Sequence, residues 1–125
     1  MERGKVHNEI VQVLDDSLVL DREQLSDITM GDEDLMREVL GALWDDTVLH
    51  IVKLETAIRN REGEQCVRLA HYSKGACANL GANAAAEVFR RMEMDARAGQ
   101  FGRCVESLTA LGAAVEELRV EIAAF

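Results

Sequence analysis

Apolar residues recur along this chain every three or four positions, the period of helices buried along one face at about 100° per residue. Val6, Ile10, Val13, Leu14 and Leu18 predict a first amphipathic helix over about residues 5–18. Asp21 offers an N-cap, with Gln24 three residues on in capping-box position. A short helix then carries Leu25 and Ile28 inward and ends near Gly31, a natural residue for a helix stop. Asp32, Glu33 and Asp34 open the next helix, where carboxylates complement the helix dipole. Its stripe runs through Leu35, Val39, Leu43, Ile51, Leu54 and Ile58, widened by Met36, Leu40 and Trp44. Trp44 and His50 read as packing or surface residues.

Asn60-Arg61-Glu62-Gly63 reads as a turn, and a helix from about 63 to 80 follows, stopped by Gly81. Asn83 is placed to cap the next helix, which carries Val88, Phe89 and Met92 and ends at Gly99. Met92 and Met94 read as core filling beside Phe and Val. Phe101, Val105, Leu108, Leu111, Val115, Leu118, Ile122 and Phe125 mark the last helix, with the seam of a helix packed nearly antiparallel in a bundle. Short turns make sequence neighbours antiparallel neighbours in space. The expected fold is all-α: an up-down-up-down four-helix bundle from about residue 32, with additional N-terminal helices covering one end. The chain divides into an N-terminal amphipathic helix, 1–20, and a helical bundle domain, 21–125.

Composition supports this picture. The 125 residues suffice for one domain with one core, and there is no proline, which long uninterrupted helices exclude from their interiors. Fourteen basic against twenty-three acidic residues give a formal charge of −9, which disfavours nucleic acid, because tracking a phosphate backbone needs a basic face. No apolar run approaches the ~18 residues of a membrane span, and no secretory h-region is present. Three cysteines, Cys66, Cys77 and Cys104, cannot all pair within one chain. Buried inert thiols in a cytoplasmic protein are the simplest reading.

The helix over 63–80 carries the candidate chemistry. Leu69, Ser73, Ala76 and Leu80 cluster within a narrow arc, flanked by Cys66 and Cys77, and that arc is the buried face. His71 falls roughly opposite, beside Val67, Lys74, Gly75 and Ala78. A histidine pointing to water in mid-helix, among small residues and one lysine, is placed for something to reach it. Neutral imidazole is a competent nucleophile near neutral pH. Lys74, one turn on, sets an ammonium nearby. Gly75 costs a helix interior about 1 kcal/mol relative to alanine, and leaves one flank of His71 uncrowded. A metal or haem bundle is poorly supported: Cys66 and His71 lie about 140° apart on the helix, Cys77 diverges similarly on the other side, and haem-attachment and zinc spacings are absent.

The segment Ala70-His71-Tyr72-Ser73-Lys74-Gly75-Ala76-Cys77-Ala78-Asn79-Leu80-Gly81-Ala82 resembles the signature of histidine-containing phosphotransfer (HPt) domains: Ala-His, then Lys-Gly three and four residues past the histidine, then Gly-Ala closing the helix. Leu20-Asp21-Arg22-Glu23-Gln24-Leu25 and Gly31-Asp32-Glu33-Asp34-Leu35 are similar to the family's entry into its bundle. Met92-Glu93 with Arg97-Ala98-Gly99 is similar to the end of the helix after the site helix. The resemblance covers roughly residues 20–125. Two positions depart from it. Ser73 stands where the family usually has leucine and is expected to return its hydroxyl to a carbonyl one turn back. Ala76 stands where the family often has serine.

The resemblance implies a phosphorelay intermediate. His71 would take a phosphoryl group from a receiver aspartate or a sensor histidine kinase and pass it to a response-regulator receiver. Lys74 would stabilise the phosphate, Gly75 would give steric clearance, and Val67, Arg68 and Ala78 would lie in the docking face. The chain would be a carrier and not an enzyme with its own complete active site. It would hold no cofactor of its own, with Mg²⁺ supplied by the receiver, and would act as a monomer in the cytoplasm without nucleic acid or membrane. The alternative from another class is a phosphorylation-independent helical adaptor that binds a receiver or kinase.

Overall fold

Each turn between helices is closed by a residue at positive φ: Met30 and Gly31, then Arg61, Gly81 and Gly99. These residues sit in the computed structural model, which describes residues 18–125 and is all-α across them. The helices are α1 (Arg22–Ile28), α2 (Glu33–Arg59), α3 (Gly63–Asn79), α4 (Asn83–Arg97) and α5 (Phe101–Ala123). In each turn an amide just past the helix returns to a carbonyl five residues back, as in Gly31 N to Ser26 O at 2.9 Å and Ala82 N to Cys77 O at 2.8 Å. Such bonds satisfy carbonyls that a helix end otherwise leaves orphaned. Gly81 is required twice over. Its φ is +85°, and a Cβ there would lie 2.7 Å from the Asp21 carbonyl oxygen.

Short turns fold each long helix back along its predecessor, and α2 packs against α5 to close the ring. Arg61 stacks on Phe101 at one end of that pair, and Arg37 donates to the Phe125 carbonyl at the other. Leu40, Leu54, Cys66, Phe89, Met92, Leu111 and Leu118 are fully enclosed between the four helices. Helix α1 lies over one end. Its Gln24 side chain donates to Ala78 O at 2.6 Å, while Arg22 reaches Glu121 at 3.4 Å and lies over the Phe125 ring. No helix among the described residues is long and apolar enough to cross a membrane.

Several local expectations need correction. The helix expected over 5–18 lies outside the described residues apart from Leu18, which is not helical. Asp21 caps α1 through Gln24 N at 3.1 Å, but the reciprocal half of the box is absent: Asp21 N donates to Gly81 O, and Gln24 turns to α3. Ile28 is 49% exposed, and Thr29 is buried in its stead, its hydroxyl bonded to Leu25 O. Asn83 does not cap α4. The cap position is Ala82, buried and without a side-chain acceptor, and the amide of Ala84 is met by the Leu18 carbonyl at 2.7 Å. A backbone carbonyl from the N-terminal arm thus does what an asparagine was expected to do. Leu35 and Val105 are exposed, because the buried seam of α5 passes through Cys104 and Ser107 and that of α2 through Met36 and Thr47.

Candidate functional site

Helix α3 divides into two faces. Cys66, Leu69, Ala70, Ser73 and Cys77 are buried, while Ala76 and Leu80, expected among them, are only half-buried. All three cysteines are buried and free. Burial pushes the thiol of Cys66 up, and those of Cys77 and Cys104 up to about 11, so they stay protonated and unreactive at neutral pH. Ser73 departs from expectation: its buried hydroxyl oxygen has no hydrogen-bond partner.

On the opposite face the His71 side chain is 65% exposed, yet it is not simply surrounded by water. Its Nδ1 lies 3.1 Å from Oε2 of Glu93, a carboxylate on α4 whose side chain is only 7% exposed. Lys74 Nζ approaches the other oxygen at 2.9 Å, and Arg97 donates to Oε2 at 2.8 Å from one turn further along α4. Burial alone would raise the Glu93 pKa. The hydrogen bonds from Arg97, Lys74 and His71 overcome it and hold the carboxyl down at about 2.

That charge state fixes the imidazole. An ionised carboxylate only accepts, so the proton of neutral His71 sits on Nδ1 and donates to Glu93. The lone pair is then on Nε2, which has no partner among the described residues. The arrangement leaves one nucleophilic nitrogen turned outward on a ring held from behind.

The other sequence-predicted residues surround this contact. A Cβ on Gly75 would meet nothing within 4 Å, so the missing side chain serves no internal packing. Ala78 is exposed, Val67 is half-buried against the core, and exposed Arg68 donates to Gln65 Oε1 at 2.8 Å. Two grooves run between α3 and α4. One, of about 590 Å³, is lined by Gly63, Glu64, Val67, Arg68, Ala96 and Arg97. The other, of about 300 Å³, takes in Lys74, Gly75, Ala78, Ala86 and Arg90. On the α2 side, Tyr72 donates to Asp46 Oδ2 at 3.0 Å, which pushes its phenol pKa up, and packs edge-on to His50.

Sequence reasoning assigns no role to Glu93 or Arg97. Both stand in the segment that resembles the family's helix after the site helix, and Glu93 is a single acidic residue in the apolar arc of α4, where Val88, Phe89, Met92 and Ala96 are its buried neighbours. Among the described residues no group of three or more histidine, cysteine, aspartate or glutamate side chains is arranged to hold a metal ion.

No curated protein sequence matches the chain. Among solved structures it is similar to histidine-containing phosphotransfer protein B (HptB) from Pseudomonas aeruginosa PAO1, with a TM-score of 0.79 and 22% identity over 84% of this chain and 91% of that one. At that identity the likeness speaks for the fold. The family model described as the Hpt domain matches residues 38–121, which takes in His71, Lys74, Gly75, Glu93 and Arg97. A helical bundle carrying an outward histidine and a match across most of its length therefore agree: the chain belongs to the Hpt domain family, the histidine phosphotransfer proteins of two-component signalling.

Proposed function

We propose that His71 is the phosphoacceptor and that this chain carries a phosphoryl group between a sensor kinase or receiver aspartate and a response-regulator receiver. The observation that carries the reading is the His71–Glu93 contact, which reserves Nε2 for an incoming phosphorus. The Nε2 lone pair forms the N–P bond as the bond from phosphorus to the donor aspartate oxygen breaks, and the aspartate leaves as a carboxylate. Nδ1 keeps its proton throughout, so the phosphorylated ring becomes cationic. Glu93 lies against that developing charge, in a site where a preorganised carboxylate needs no rearrangement. Transfer to the next receiver reverses these steps.

Lys74 is the ammonium nearest in sequence to the acceptor, and it neutralises phosphoryl oxygens by leaving Glu93 to Arg97. Phosphoryl transfer depends mainly on positioning and charge neutralisation. The chain therefore works as a carrier with no cofactor of its own, while the receiver supplies Mg²⁺ and the acidic residues that hold it. It acts as a monomer. The test is incubation with phosphorylated receiver domains: the wild type acquires acid-labile, base-stable phosphate and His71→Gln acquires none. Label retained on His71→Gln would refute the site. Receiver binding without any label would make the chain an adaptor.

A further inference from the structure

The described residues begin at one end of the smaller groove between α3 and α4. The Leu18 carbonyl accepts from Ala84 N at 2.7 Å and Asp21 N donates to Gly81 O at 2.7 Å, so the chain arrives over the α3–α4 turn. Asn83 and Ala78 line that end of the groove, and Lys74, Gly75 and Arg90 line the end towards His71. Residues 1–17 precede this point. From Ala84 to Glu93 is nine residues of helix, about 14 Å, whereas residues 5–17 as a helix would span about 20 Å. The segment is long enough to run the length of the groove and past His71.

Its sequence suits that groove in two respects. On a helix, Val6, Ile10, Val13 and Leu14 fall within an arc of about 100°, and Glu2, Glu9 and Asp16 run along one edge of that arc. With Asp15 the segment carries four carboxylates to two cations, Arg3 and Lys5. The groove offers Gly75, Ala78 and Ala86 as an apolar floor. Along its rim Lys74, Arg90 and Arg97 outnumber Glu87 and Glu93. Two other surfaces fit less well. Helix α1, which follows Leu18 directly, exposes Glu23 and Asp27 and repels an acidic segment. The groove on the other side of α4, lined by Arg91, Asp95, Arg103, Glu106, Ser107 and Ala110, is balanced in charge and starts two turns beyond Ala84.

We propose that the chain's own segment 1–17 lies along the smaller α3–α4 groove, seats Val6, Ile10 and Val13 on its apolar floor, turns its acidic edge to Lys74 and Arg90, and so covers the approach to His71. The packing follows from reach, apolar match and charge; its effect on transfer rests on the proposed phosphotransfer function. A short tether holds such a segment at an effective concentration on the order of millimolar, so a weak contact keeps the groove occupied. A phosphodonor protein then meets only the fraction of molecules from which the segment has withdrawn, and its apparent affinity falls by that fraction.

A nitroxide on Gln12→Cys, on the side of the segment opposite its apolar arc, tests the packing in the full-length chain, since the buried native thiols do not take the label. The amide resonances of Gly75, Ala78 and Ala86 are expected to broaden, those of Gly112 and Ala113 on α5 to stay sharp, and Ile10→Asp to abolish the broadening. No broadening along the groove, or broadening centred on α1 or α5, overturns the proposal. Transfer from a phosphorylated receiver is expected to be about threefold faster with Ile10→Asp. Glu9→Lys should also speed it, and more than Asp15→Lys, which makes the same charge change away from the acidic edge. An Ile10→Asp variant no faster than the wild type overturns the cover. If neither the wild type nor any variant accepts phosphate, the acceptor reading fails, and the broadening still decides the packing.

Discussion

Each flank of helix α3 encloses one buried polar group, Glu93 of α4 on one side and its own Ser73 on the other, and the two are treated in opposite ways. Towards α4, the Glu93 carboxylate receives His71, Lys74 and Arg97. Towards α2, the Ser73 hydroxyl lies in a gap, lined by Asp46, Thr47, His50, Tyr72 and Ala76, that is too tight for a water molecule, and it has no partner. A buried charge without partners would not survive folding, whereas an orphan hydroxyl costs only about 1–3 kcal/mol. The α4 side is thus a built polar site, and the α2 side is packing that tolerates a flaw.

Removing the built side should cost most. Glu93→Ala leaves Lys74 and Arg97 without their carboxylate and His71 without its Nδ1 acceptor, so stability should fall by about 2–3 kcal/mol in urea titrations. Transfer to His71 should fall at least tenfold, because the ring loses both its orientation and its preferred tautomer. Glu93→Gln retains an acceptor oxygen and should recover part of the transfer rate. Equal rates for Glu93→Ala and the wild type would reduce the network to a structural tie.

Acid should dismantle the same side without a mutation. Glu93 is held at about 2 in the folded protein, below its ordinary value of 4.5. A depressed carboxylate stabilises fully above the unfolded value, and the gain disappears as pH falls from about 4.5 towards 2. The shift corresponds to about 3 kcal/mol, trimmed to about 2 because Arg97 and His71 remain largely in solvent. Thermal melting of the wild type between pH 5 and 2 should show this loss, and Glu93→Gln should lack it.

The flawed side should respond in the opposite direction. Ser73→Ala deletes a buried hydroxyl with no partner and places a better helix former in mid-helix, so it should raise stability by about 1–2 kcal/mol. Transfer should be unchanged, since Ser73 faces away from Nε2. A stability loss in urea would mean that the hydroxyl has a bound partner after all.

The same contrast explains what could be read from the sequence. His71, Lys74 and Gly75 share one face of one helix, so the 3.6-residue period is enough to place them together. The Asp21 cap on Gln24 N, which acts locally, was equally legible, whereas Asp32, expected only to complement the helix dipole, also caps its helix through Leu35 N. Glu93 is twenty-two residues from His71 and meets it only because α4 folds back along α3. Its position in the apolar arc was visible, but its partners were not. Asn83 fails as a cap for a similar reason: the acceptor at the start of α4 is the Leu18 carbonyl, from a distant part of the chain. Ser73 was expected to bond one turn back, and side-chain torsion within a packed interface is not a property of local sequence.

Gly75 offers the smallest change and the clearest separation of fold from function. Its helical φ/ψ suit alanine, and the added Cβ would meet no atom of this chain within 4 Å. Gly75→Ala should therefore gain about 0.5–1 kcal/mol in stability, the ordinary difference between the two residues in a helix interior. The Cβ would, however, occupy space one turn from His71, on the wall of the smaller groove. Transfer from a receiver should slow a few-fold, while phosphoramidate labelling, whose donor is too small to touch that wall, should proceed at the wild-type rate. If the variant is more stable and equally fast with both donors, the glycine is not there for a partner. If only the protein donor is slowed, a residue that weakens its own helix is kept for the clearance it gives beside Nε2.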